Sequence, residues 1–78
     1  MANHDTETTE KLEKFGKRLK ELRKAKGYEN YEQFAFKNNI SRSQYGRYEK
    51  GQDIRFSSIC KVLKALDVTF EEFFKGFD

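Results

Sequence analysis

The sequence predicts an all-α fold of five short helices, and three observations carry that expectation. Apolar residues recur at three- and four-residue spacing in several segments, and no stretch alternates with a period of two, so a sheet is excluded. Helix-start signals, a Ser, Thr or Asn followed three residues later by Gln or Glu, stand at Asn30, Ser41 and Thr69. At 78 residues the chain is one domain, able to bury only ~60% of its extended-chain surface and with little room for a deep catalytic cleft. Hydrophobic residues make up 36% and charged residues 37%, a polar balance in which the 15% aromatic content must supply much of the core.

Residues 1–10, MANHDTETTE, lack apolar periodicity and read as a disordered tail, with the folded domain over 11–78 and His4 an incidental surface residue. Leu12, Phe15, Leu19 and Leu22 then form a helical stripe that ends near Gly27, with Lys24 and Lys26 in the last turn. Arg23 lies just beside that stripe, so its guanidinium can fold against the core edge if a carboxylate waits there, and Glu49 is the candidate. Asn30 opens a second helix through Tyr31, Phe34, Ala35 and Lys37. Asn38 and Asn39 end it; Asn tolerates the left-handed conformation, which makes Asn39 a pivot between two helices, with Ile40 beneath the turn.

Ser41 caps a third helix beginning at Arg42. At 100° per residue Tyr45 and Tyr48 share one face, while Arg42, Ser43, Gly46 and Arg47 fill the opposite arc. A solvated face normally carries strong helix formers, and Gly46 costs ~1 kcal/mol relative to Ala in a helix interior. Either this is a short surface helix with an indifferent glycine, or the helix lies close against a ligand. Phe56, Ile59, Val62, Leu63 and Leu66 mark a fourth helix, left through Asp67 and Val68, and Thr69 opens a fifth that carries Phe70, Phe73 and Phe74 before Gly76.

The formal net charge is +3, yet residues 11–26 hold eight of the sixteen Lys and Arg, and both chain ends are acidic. Such asymmetry suits an anionic partner approached from one side, or is a solvated helix face. One Cys and one His cannot build a Cys/His zinc site, and Cys60 reads as a small buried hydrophobe. No cofactor or metal is expected, no nucleophile-base pair or phosphate-cradling glycine loop suggests an enzyme, and no apolar run approaches a membrane span, which leaves the cytoplasm as the expected compartment.

From Phe15 to about Phe74 the chain resembles the Cro/repressor-type, or XRE-like, helix-turn-helix DNA-binding domains. FGKRLKELRKAKG is similar to the family's first helix, FAFKNNISRSQYGRYEKG to its helix-turn-helix with the terminal Glu-x-Gly, and KVLKALDVTFEEFF to its closing helices. The resemblance implies a compact five-helix domain whose third helix, residues 42–49, enters the major groove. It assigns base contacts to Arg42, Ser43, Gln44 and Arg47, with Arg47 best placed to pair with guanine and Arg42 able to hold a phosphate. Gln44 can contact DNA or complete the helix cap. Backbone contacts fall to Asn30, Tyr31, Lys50, Gln52 and Arg55, and Arg23 with Glu49 matches the family's buried brace. Gly46 would let the helix sit deeper beside the DNA.

This chain departs from the pattern at Tyr31, where the family commonly has Gln, and at Phe36 and Asn38, where polar and apolar residues are exchanged. Either the second helix is rotated or Phe36 is an exposed contact surface. The expected function is sequence-specific binding of double-stranded DNA by a small transcriptional regulator. It is expected to act as a homodimer, with half-sites ~34 Å apart and with Phe70, Phe73, Phe74 and Phe77 as a candidate dimer surface. The alternative is a protein-interaction module, such as the antitoxin of a toxin-antitoxin pair, with a toxin or effector as partner.

Overall fold

A computed structural model of the chain describes residues 5–77, so His4 lies outside the described residues. They form five helices, α1 (Thr6–Ala25), α2 (Tyr31–Lys37), α3 (Arg42–Glu49), α4 (Phe56–Leu66) and α5 (Phe70–Phe73), with no strand among the described residues. None of the described helices is long and apolar enough to cross a membrane.

The first helix begins earlier than its apolar stripe. Asp5 caps α1 by accepting a hydrogen bond from the Thr8 backbone N–H at 2.8 Å, and Glu7 lies in the first turn, where a carboxylate favours the helix dipole. Residues 6–10 are therefore helical, and the expected boundary at residue 11 falls inside α1. The other starts follow their signals. Asn30 accepts from the Gln33 N–H at 2.8 Å, Ser41 from the Gln44 N–H at 3.4 Å, and Thr69 with Glu72 closes a reciprocal box. Those bonds from Thr69 hold the Glu72 carboxyl below its ordinary pKa, the backbone N–H contributing most.

Two tight reversals rest on left-handed residues other than glycine, Asn39 (φ 58°) between α2 and α3 and Asp67 (φ 60°) after α4. Ile40 N–H donates to the Ala35 carbonyl across the first of these at 2.8 Å, and Lys61 Nζ on α4 donates to the Asn39 carbonyl at 2.8 Å. The turn that joins the two helices is thus held from a third.

The core is aromatic where the composition requires it to be. Phe34, Tyr45 and Phe73 are fully buried with Leu19, Val62 and Leu63, and the Phe15 and Phe73 rings meet at 4.9 Å. The second helix is not rotated: Phe34 and Ala35 are buried, Asn38 turns its amide to the Phe34 carbonyl at 2.8 Å, and Phe36 is 82% exposed. Cys60, expected inside, is exposed. Phe56 heads the apolar stripe of α4 but is 68% exposed, with its ring 5.6 Å from that of Phe70.

Much of the basic character of α1 serves the fold itself. Lys14 Nζ donates to the Gly76 carbonyl at 2.8 Å, and the Arg18 guanidinium donates to the carbonyls of Phe73 and Lys75. These cations satisfy the last carbonyl of α5 and two in the turn that follows it. Both also lie over Phe77, Arg18 at 5.2 Å and Lys14 at 5.4 Å from the ring centroid, so Phe77 is tied down within the domain.

Candidate nucleic-acid interface

The candidate site is the outer face of α3. An eight-residue helix has little intrinsic stability, so its position depends on what grips it from behind. Tyr45 and Tyr48 are buried, and Tyr45 packs against Phe34 of α2 with ring centroids 5.2 Å apart. On the other side α1 approaches so closely that a Cβ on Gly16 would lie 2.5 Å from the Glu49 carbonyl oxygen and 2.8 Å from that of Tyr48. Gly16 is therefore the point of backbone contact between α1 and α3, a role not recognised from the sequence. Its only signal there was a helix-interior glycine, the same signal that drew attention to Gly46.

Arg23 and Glu49 lock the end of α3. Arg23 Nε donates to Glu49 Oε2 at 2.7 Å and Nη2 to Oε1 at 3.0 Å, while Nη1 donates to the Tyr28 carbonyl at 2.8 Å. Their side chains retain 4% and 8% of their exposure, so this is a buried, bidentate pair. The hydrogen bonds that Arg23 donates to Glu49 outweigh desolvation and raise the Arg23 pKa above its ordinary value. Among the described residues the buried Tyr45 hydroxyl has no hydrogen-bond partner, and burial first, then Glu49, pushes its pKa far above that of a free phenol.

With the back of α3 so fixed, the side chains of Arg42, Ser43, Gln44 and Arg47 are all exposed. Ser43 Oγ lies 3.3 Å from Ser41 Oγ, which orients the start of the helix. The Gln44 side chain is exposed, and the reciprocal box that would occupy it forms only at α5. Asn30 uses its side-chain oxygen on the α2 cap, which leaves its NH2 to donate outward. Lys50, Gln52 and Arg55 follow α3 as exposed residues, and Gln52 N–H returns to the Arg47 carbonyl at 3.1 Å. Lys50 also borders a hollow with Glu10, Glu13 and Lys17 of α1, so acidic side chains compete for it.

Gly46 stands apart from the exposed group. It is buried, and a Cβ there would meet the Tyr31 ring, 2.9 Å from Cε1 and 3.0 Å from the hydroxyl. The expectation that Gly46 brings the helix backbone nearer DNA is therefore corrected: the space is filled by Tyr31 of α2. A helical wheel places Gly46 opposite the tyrosines of its own helix, but it cannot register a ring arriving from another one.

A pair of short helices joined by a left-handed Asn, with cationic and polar side chains exposed on the second, defines a helix-turn-helix. The chain belongs to the XRE-like helix-turn-helix family of DNA-binding transcription regulators, whose helix-turn-helix model matches residues 19–73. Among solved structures it is similar to the high-resolution crystal structure of the restriction-modification controller protein C.AhdI from Aeromonas hydrophila. The two are 40% identical with a TM-score of 0.75, over 91% of this chain and 100% of that one. No curated protein matches it.

Proposed function

We propose that the protein is a sequence-specific binder of double-stranded DNA, a small transcription regulator that inserts α3 into the major groove. The observation that carries this reading is the exposure of Arg42, Ser43, Gln44 and Arg47 along a helix whose opposite side is fixed by Tyr45, Tyr48 and the Arg23–Glu49 pair. A base-reading helix needs that combination, because a bidentate contact tolerates little misplacement. Arg47 reads guanine, Arg42 holds a phosphate or an adjacent base, and Ser43 and Gln44 contact base edges. Asn30, Tyr31, Lys50, Gln52 and Arg55 position the domain on the backbone.

The protein acts as a homodimer on a two-fold site. Phe56 and Phe70, 68% and 41% exposed and in ring contact, are the apolar surface that supports pairing with a second copy. Likeness to a restriction-modification controller protein supports the same role here, control of a restriction-modification system. Restriction and methylation genes beside this one would agree with that role, whereas an adjacent gene for a small basic toxin would favour the antitoxin alternative.

Titration of duplex DNA at rising salt tests the binding reading. Affinity should fall steeply with log salt concentration, by a slope of about 0.9 for each phosphate neutralised, and a flat response contradicts it.

A further inference from the structure

Lys61 makes a contact that its own helix does not need. Its Nζ donates to the Asn39 carbonyl at 2.8 Å across 22 residues of chain. Asn39 is the left-handed residue (φ 58°) on which α2 turns into α3, and among the described residues no backbone N–H reaches its carbonyl. Lys61 therefore supplies a partner that the tight turn does not. Among the described residues this is also the one hydrogen bond between α4 and the helix-turn-helix. Otherwise Val62, Leu63 and Leu66 share an apolar core with Phe34 and Tyr45, and apolar burial is non-directional. Phe56, the exposed ring proposed above for pairing, stands on the same helix, about 140° around its axis from Lys61 at ~100° per residue. One flank of α4 thus holds the turn before α3, and another carries the proposed pairing surface.

We infer that Lys61 is a positioning residue: by tying the turn to α4 it sets the angle of α3 against the pairing surface, and with it the spacing of the two half-sites that a homodimer reads. The inference rests on the DNA-binding and homodimer readings above and deepens them. In a two-fold dimer each α3 is placed relative to its copy through its own α4, so a small rotation of the helix-turn-helix on its core is repeated on both sides of the axis. A charge-assisted hydrogen bond supplies the direction that apolar packing lacks. The Lys61 ammonium is spent on a carbonyl of the protein, so its role is to orient the reader and not to hold the duplex.

Competition binding on a set of duplexes tests this, with circular dichroism as the check on folding. The probes are the two-fold site selected from a random pool by the unaltered chain, the same site with one base pair added or removed between its halves, and a single half-site. One base pair turns one half against the other by about 34°, since a helical turn takes ~10.5 base pairs. The unaltered chain should favour the selected spacing. Lys61→Met, which keeps the stem and removes the donor, should narrow that preference by about threefold to tenfold, the worth of one hydrogen bond, and should bind the half-site as before. Lys61→Arg, which still donates, should restore the preference. Lys64→Met, which removes another exposed cation of α4, should leave it unchanged. An unnarrowed preference in Lys61→Met, or an equal loss on the half-site and the full site, overturns the inference. So does a lower salt slope, which would put Lys61 on a phosphate. If the unaltered chain enriches single half-sites, the homodimer reading fails and this inference with it; if it enriches no duplex, the DNA-binding reading fails as well.

Discussion

Gly16→Ala sets two physical effects of opposite sign against each other, which makes its outcome decisive. Gly16 lies in the middle of α1, where intrinsic propensity alone favours alanine by ~1 kcal/mol. Against that, the new Cβ would stand 2.5 Å from the Glu49 carbonyl oxygen and 2.8 Å from that of Tyr48, both backbone atoms of a packed helix. Neither can rotate away, so α1 and α3 must move apart by most of an ångström to restore ordinary contact. Overpacking of this kind costs ~1–3 kcal/mol. Here the upper part of that range applies, because the displaced residue is Glu49, whose carboxylate holds Arg23 in a two-bond fork. The net loss is about 1–2 kcal/mol, a fall in Tm of roughly 5–15 °C for a domain of this size. Thermal and urea unfolding followed by circular dichroism would measure it, with Lys17→Ala on the exposed side of the same helix as the control. An unchanged or raised Tm for Gly16→Ala would refute the close α1–α3 contact.

Other consequences follow from the same geometry. Glu49→Ala leaves the Arg23 guanidinium buried without its carboxylate, so it should cost ~3–5 kcal/mol and leave a marginal domain; urea midpoints would show it, and a neutral result would mean that water reaches the pair. Tyr45 has a pKa raised above its ordinary value of 10.0. Its contribution to stability is therefore full below pH ~10 and is lost as the pH climbs beyond it, where the unfolded chain ionises and the native one does not. Tyr45→Phe removes that titration and an unpaired buried hydroxyl, so it should match or exceed the unaltered protein at neutral pH and lose less stability above pH ~10. Identical alkaline profiles would contradict this.

What could be read from the residues was whatever local chemistry determines. Asn30, Ser41 and Thr69 marked three helix starts because a capping side chain acts within three residues. Asn39 marked the pivot because few side chains tolerate positive φ. The stripe of α1 placed Arg23 at the core edge, within reach of Glu49. The start of α1 was not legible from periodicity, since Thr6 to Glu10 contributes no apolar residue and only the Asp5 cap and Glu7 signal a helix. Long-range partners were illegible for a different reason. Nothing near Gly46 in the chain announces the Tyr31 ring, nothing near Lys14 and Arg18 announces the carbonyls of α5, and Gly16 shows its purpose only when α3 lies across it. The family pattern leaves either rotation of α2 or exposure open for Phe36; Phe34 and Ala35, buried together, decide it in favour of exposure.

In the proposed function α3 reads DNA sequence through its exposed side chains, Arg47 foremost. Parallel selection of duplexes from a random pool by the unaltered chain and by Arg47→Ala tests it directly. The unaltered chain should enrich a two-fold motif with half-sites about one helical turn apart. Arg47→Ala, still folded, should lose preference at one guanine in each half-site by ~1–3 kcal/mol of discrimination. Enrichment of the same motif with the same base preferences by both proteins would contradict it.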